Sequence, residues 1–129
     1  ETVVAVRSVS PELGVAHDGG FKPLGELGFG SNVADCDARL TERVEARRGD
    51  VLTLSTITGH AALAERLAGD YPEALAEAME GFGAATAAAQ AGLPFAEIRA
   101  ISNVVGDRDV ASWDWQAGFA ALTRAAKSL

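Results

Sequence analysis

The stretch Ala76–Asn103, AEAMEGFGAATAAAQAGLPFAEIRAISN, decides how the chain is read. Two assignments compete over its first half. Alanine has the highest intrinsic helix propensity, so Glu73 to Ala91 could be one long helix. Against that, Gly81 and Gly83 sit mid-way, and each costs up to about 1 kcal/mol in a helix interior. The alternative is a short strand over Leu75–Met79, followed by a helix that starts at Glu80 or Gly81. Gly92-Leu93-Pro94 is a stop signal in either case. Phe95 to Ser102 alternates and reads as a buried strand, with Glu97 and Arg99 near its middle.

Working outward, Thr2 to Val9 is β-branched and apolar and reads as a strand. Ser10 to Asp37 holds eight glycines or prolines, shows no period and reads as a long loop. Asp37 to Arg48, DARLTERVEARR, has the pattern of an amphipathic helix with Leu40 and Val44 on one face. Gly49-Asp50 then turns the chain into a strand over Val51 to Thr58. A helix opens at Gly59 and runs to about Asp70, ended by Tyr71-Pro72. After Ser102, Asn103 to Ser112 is a polar loop, and Trp113 or Asp114 to Leu129 is the last helix. Strands alternating with helices imply an α/β domain with a parallel-rich sheet covered on both faces. Ligands in such folds bind beyond the carboxyl ends of the strands. Ser55–Gly59, Met79-Glu80-Gly81 and Ser102-Asn103 fall at those ends.

Composition narrows the function classes. The chain has 129 residues, enough for one modest domain. Eleven Lys and Arg against 18 Asp and Glu give a net charge of −7, which disfavours a nucleic-acid-coating surface. No apolar run reaches the roughly 20 residues of a membrane span. One cysteine, Cys36, makes neither an internal disulfide nor a cysteine-cluster zinc site, and points to a reducing, cytoplasmic setting. His17 and His60 lack metal-ligand spacing, so no metal is expected. The glycines match neither GxxxxGK[ST] nor GxGxxG, so no organic cofactor is expected either.

Two residues stand out chemically. A carboxylate at Glu80, on a strand-to-helix junction, is favoured by the helix N-terminus and can accept two hydrogen bonds, as from a vicinal diol; the plain alternative is a surface glutamate. Asn103 offers a donor and an acceptor, which suits a purine edge; the plain alternative is a turn asparagine. Asp107-Arg108-Asp109 reads as a solvated charged turn. Trp113 can close an apolar pocket, Trp115 reads as packing, and His60 is the histidine nearer a ligand. Cys36 has no histidine partner that would make it a nucleophile.

Together these motifs resemble the purine nucleoside phosphorylase/nucleosidase superfamily. The Met-Glu pair after a strand, the small-residue helix, Gly-Leu-Pro-Phe and the strand ending Arg-Ala-Ile-Ser-Asn follow one another at that family's spacing. The match is close to the 5′-methylthioadenosine/S-adenosylhomocysteine nucleosidases. ELGFG at Glu26–Gly30, LSTITG at Leu54–Gly59 and ISNVVGDRD with a tryptophan after it are similar to the futalosine hydrolase branch. The resemblance settles the ambiguous stretch in favour of strand then helix. It implies a mixed central sheet flanked by helices in three layers, and hydrolysis of a nucleoside N-glycosidic bond, with futalosine as substrate and hypoxanthine released. A purine nucleoside phosphorylase or a non-catalytic nucleoside-binding homologue remains the alternative.

By the same resemblance Glu80 binds the ribosyl hydroxyls, Met79 packs against the sugar and Asn103 holds the base. Ile57 and Thr58 contact the purine, and Trp113 lines the 5′-substituent pocket. Asn103 replaces the aspartate of the adenine-cleaving nucleosidases, and a neutral amide suits a 6-oxopurine. Residues 1–129 then correspond to the C-terminal portion of the family's domain, with its N-terminal strands and its water-activating glutamate unmatched here. That correspondence implies one domain segment, inactive alone and with exposed sheet edges, and a homodimer binding a small nucleoside rather than a nucleic acid or a membrane.

Overall fold

A computed structural model describes residues 1–106 and 109–129 of the chain. The first strand, β1 (Thr2–Val9), is the centre of the sheet. Its valines alternate across the pleat, so Val3 and Val4 serve different clusters. Val3 joins Ala5, Val51 and Ala76; Val4 joins Val44 and Ala125. A third cluster forms around Val9, Leu52 and Leu54.

The residues after β1 hold more structure than an irregular loop. A hairpin of β2 (Gly14–His17) and β3 (Gly20–Pro23) pairs His17 with Gly20 across a two-residue turn. Next come a 3-10 turn over Leu24–Leu27 and a short strand, β4 (Val33–Asp35). The amphipathic helix expected over Asp37–Arg48 does not form. Only Ala38–Thr41 is helical, as a 3-10 turn capped by Asp37, and the chain is already in β5 (Arg47–Thr53) where the helix should end. Parallel pairing of Arg47, Arg48 and Gly49 with Val3, Val4 and Ala5 overrides the local propensity. The Arg48 guanidinium takes up the carbonyls of Thr41, at 2.7 Å, and Val44, at 3.4 Å.

Gly49-Asp50 is likewise strand and not a turn. A Cβ at Gly49 would stand 2.7 Å from the Glu73 carbonyl oxygen, so glycine is what lets the next strand approach. Asp50 is buried and forms a bidentate ion pair with Arg7, with Arg7 Nε donating at 2.9 Å. β5 ends at Thr53, so Ser55–Thr58 lies in the loop and not in the strand.

The second half follows the expected order. Helix α1 (Ala61–Asp70) is capped by His60, strand β6 is Ala74–Ala78, and helix α2 is Gly81–Gln90. The long-helix assignment is therefore excluded. Gly92, just past the Ala91 cap of α2, has a φ of 67°, the left-handed conformation favoured after a helix C-terminus. The strand expected over Phe95–Ser102 shortens to β7 (Ile98–Ala100). A 3-10 turn over Val110–Ser112 and helix α3 (Trp115–Ala126), capped by Asp114, complete the chain. The charged-turn reading of Asp107 and Arg108 lies outside the described residues.

The sheet runs β4-β1-β5-β6, with β7 also on β1. β1, β5 and β6 are parallel, while β4 and β7 run antiparallel to β1. β5 fills one edge of β1, so β4 beside Arg7–Val9 and β7 beside Thr2–Val4 share the other. The result is a mixed α/β sheet flanked by helices, as expected.

Candidate nucleoside site

The chain between β5 and α1 and the chain between β6 and α2 leave the sheet at the same end, because β5 and β6 are parallel and in register at Thr53–Ala78. Thr53 Oγ1 accepts the Phe82 amide at 2.9 Å and ties the first turn of α2 to the end of β5. These connections open onto a cleft of about 750 Å³. Its floor is the β5–β6 side of the sheet, including Leu52, Leu54 and Ala78. The α1 side chains Ala64 and Leu67 form one wall, and Ile101–Val105 with Trp113 and Trp115 form the other. A smaller recess of about 490 Å³, lined by Glu1, Ile101–Val105 and Ser112, adjoins it at Asn103.

Five of the six residues singled out in the sequence line this one cleft: Ile57, Met79, Glu80, Asn103 and Trp113. Ile57 and Met79 are about half exposed, although both are apolar. Glu80 is the residue before α2, and its side chain makes no cap bond to the helix. It is open to solvent and reaches Arg99 Nη1 at 3.2 Å. Asn103 is half-buried: its Oδ1 accepts from Ser102 Oγ at 2.8 Å and its Nδ2 donates to the Val104 carbonyl at 3.0 Å. An amide has two N–H groups and two lone pairs on oxygen, so one donor and one acceptor remain for a ligand.

Thr58 is the residue the structure does not bring in. It is buried, its amide donates to Glu77 Oε1 at 2.9 Å, and it does not line the cleft. Because β5 stops at Thr53, the loop turns Ile57 outward and Thr58 inward. Ser102-Asn103 also departs from the expected arrangement. It follows a strand antiparallel to β1, and so joins the cleft from the side and not from a parallel strand's carboxyl end.

Two groups at the cleft were missed or misjudged. Arg99 pairs with Glu80 and also with Glu97, whose Oε1 accepts from Arg99 Nε at 2.7 Å. The signal was the Glu-x-Arg spacing, which puts opposite charges on one face of an extended segment. Trp115 is half exposed at the cleft wall, with its ring centroid 5.4 Å from that of Trp113, and so is not plain packing. His60 is spent differently as well: its Nδ1 accepts the Leu63 amide at 3.2 Å and caps α1. Cys36 packs against the Val3 cluster, and burial raises its thiol to about 11, which removes it as a nucleophile at neutral pH. No cluster of three metal-ligating side chains exists among the described residues, and no helix among them is long and apolar enough to cross a membrane.

The cleft therefore joins a solvent-facing carboxylate, a partly engaged amide, apolar side chains and two aromatic rings. That combination can hold a polar ring system at one end and a polyol at the other. Residues 4–129 match the Phosphorylase superfamily, and the chain belongs to it. Among curated relatives, a futalosine hydrolase of Streptomyces coelicolor is 48% identical over 131 residues, covering 98% of this chain and 56% of that protein. A futalosine hydrolase of Acidothermus cellulolyticus is 38% identical, covering 87% of this chain and 50% of that protein. The chain thus spans about half the length of these relatives. The fold is shared with S-adenosylhomocysteine nucleosidase from Streptococcus pyogenes, solved with 5-methylthiotubericidin. The TM-score is 0.70 at 21% identity, covering 100% of this chain and 60% of that one.

Proposed function

We propose that this chain carries the nucleoside-holding part of a hydrolase that cleaves the N-glycosidic bond of futalosine and releases hypoxanthine. The observation that carries the reading is that Glu80, Met79 and Asn103 line one cleft in a chain 48% identical to a futalosine hydrolase. Cleavage of such a bond builds positive charge on the ribose and negative charge on the departing base. Glu80 accepts hydrogen bonds from the ribosyl hydroxyls, and those bonds strengthen as the sugar becomes cationic. Met79 packs on the sugar. The remaining N–H of Asn103 donates to the purine as it gains electrons. An amide rather than a carboxylate there matches a 6-oxopurine, because a mismatched donor or acceptor leaves a buried group unpaired at about 1–3 kcal/mol. Ile57 contacts the base, and Trp113 with Trp115 faces the 5′-substituent. Thr58 acts through the loop it anchors.

The same reading makes residues 1–129 the C-terminal portion of one nucleoside hydrolase domain, in a cytoplasmic homodimer. The lengths of the two relatives support a portion and not the whole of such a domain, and its C-terminal placement rests on the sequence resemblance. β6 ends the strand order β4-β1-β5-β6, with β5 as its one neighbour among the described residues, and such an edge is where further sheet would attach. The test is hypoxanthine release from futalosine, with and without phosphate and with inosine as control. It is run on the 129-residue chain and on the chain fused behind the unmatched half of the Streptomyces relative. Phosphate-independent release by the fusion, at least tenfold above release from inosine, is expected. Release that requires phosphate would make the protein a phosphorylase and overturn the proposal.

A further inference from the structure

Glu97 is a carboxylate that the proposed chemistry does not use. It is 5% exposed, and its backbone carbonyl accepts the Ala5 amide at 2.9 Å, which fixes it beside β1. Oε1 accepts from Arg99 Nε at 2.7 Å. Oε2 is buried without a partner among the described residues. The carboxyl group lies against the first residue of α2: a Cβ on Gly81 would stand 2.5 Å from Glu97 Cδ and closer still to both oxygens. Burying a carboxylate costs several kcal/mol, and a well-packed apolar side chain of similar size would avoid that cost. Here the charge faces two compensating partners, the Arg99 guanidinium and the positive end of α2.

The other end of Arg99 explains what the arrangement does. Arg99 Nη1 lies 3.2 Å from Glu80 Oε2, and the Glu80 side chain is 71% exposed. A glutamate that exposed has several open rotamers, and ordering it costs conformational entropy. Guanidinium and carboxylate also tend to pair side by side through two bonds. Such a pair would occupy both oxygens of Glu80. Glu97 takes Nε of Arg99 and so rules out side-on pairing through Nε and Nη2; Glu80 meets Nη1 through Oε2 alone, and its Oε1 makes no hydrogen bond among the described residues.

We propose that Glu97 is a positioning residue: it fixes Arg99, and through Arg99 it holds the Glu80 carboxylate in one rotamer with an oxygen left for the ligand. The role in binding rests on the reading of Glu80 given above, whereas the linkage between the three side chains does not.

Both parts are tested with Glu97→Gln and Glu97→Leu. In the 129-residue chain, the Arg99 Nε–H resonance, assigned through Arg99→Lys, is expected to be protected from exchange. It should lose protection in Glu97→Leu and keep it in Glu80→Gln. The Glu80 side-chain carboxyl ¹³C resonance should shift in Glu97→Leu at constant pH. In the catalytically competent fusion, Glu97→Leu should raise KM for futalosine about tenfold or more, on the scale that small misplacements of a binding group produce. Glu97→Gln keeps an acceptor for Nε and should restore most of it. A purely structural role would lower the melting temperature and the active fraction with KM unchanged, and that result overturns the positioning role. An unmoved Glu80 resonance in Glu97→Leu overturns the linkage itself, whether or not the wild type releases hypoxanthine. Absence of hypoxanthine release with the linkage intact would instead refute the functional reading.

Discussion

Gly81→Ala is the substitution that tests the packing most directly. Gly81 has no positive φ, so alanine meets no backbone strain there. In a helix interior alanine is favoured over glycine by up to about 1 kcal/mol, and less at the first position, so propensity alone predicts a small gain. The structure predicts a loss. The new Cβ falls 2.5 Å from Glu97 Cδ, and Glu97 is a buried side chain, not a flexible surface tip. Either α2 retreats, which loosens the Phe82 amide from Thr53 Oγ1, or the carboxylate swings away from Arg99 Nε. A hydrogen bond to a charged group contributes about 1.5–3 kcal/mol. Set against the propensity gain, the net cost is about 0.5–3 kcal/mol. For a chain of this size that lowers the melting temperature by roughly 2–15 °C. Urea denaturation followed by circular dichroism measures it, with Glu97→Ala and the double variant completing a cycle. Removing the carboxylate first should cut the cost of Gly81→Ala by at least about 1 kcal/mol. A Gly81→Ala protein as stable as the wild type, or additive costs in the double variant, would refute the close approach of Glu97 to α2.

Further outcomes follow from the same geometry. Asn103→Asp keeps the acceptor for Ser102 Oγ but loses the donated N–H, so preference for 6-oxopurine over 6-aminopurine nucleosides should fall about ten- to hundredfold, read as the ratio of kcat/KM values. Glu80→Gln, in an exposed position, should leave the unfolding free energy from urea denaturation within about 0.5 kcal/mol of wild type while lowering kcat/KM for futalosine by at least tenfold; a stability change without an activity change would contradict its role. The Cys36 thiol is raised to about 11 by burial, so at pH 8 its alkylation should run about a hundredfold slower than that of an ordinary cysteine and accelerate on unfolding in urea. The sign is that of a neutral form favoured by the fold: this contribution to stability is complete below the unfolded thiol's pKa and is lost as pH rises toward 11. A urea midpoint that increases over that interval would contradict it.

What could be read from the sequence divides along the distance over which each element is decided. The β6–α2 junction is only half legible locally: the alanines favour one long helix, the glycines at 81 and 83 disfavour it, and the resemblance carried by the Met-Glu-Gly motif decides for strand then helix. The β2–β3 hairpin also had a local signal, the Asp18-Gly19 pair between His17 and Gly20, which the density of glycine and proline around it obscured. The segment Asp37–Arg48 was not legible in this way. Its helical pattern is real, but its fate is set by β1, more than forty residues earlier, which pairs with Arg47, Arg48 and Gly49. Gly49 looked like a turn for the same reason: what requires glycine there is the approach of Glu73 and Leu75 on the neighbouring strand.

The site shows the same division, with one consequence for how its residues depend on each other. Met79 and Glu80 share one short motif and Asn103 sits in another, and the resemblance those motifs carry picks the three out. Glu97 could not be picked out, since one glutamate in an alternating segment says nothing of what it faces. Its meaning comes from Gly81, which leaves room for the carboxyl group, and from Arg99, which turns it toward Glu80. The glycine of Met-Glu-Gly and the glutamate sixteen residues later are therefore one device: neither makes physical sense without the other. A chain that replaced Gly81 with a larger residue would have to give up a buried carboxylate at 97. A chain with an apolar residue at 97 would be free to vary at 81, but it would lose the acceptor that occupies Arg99 Nε and fixes the guanidinium beside Glu80.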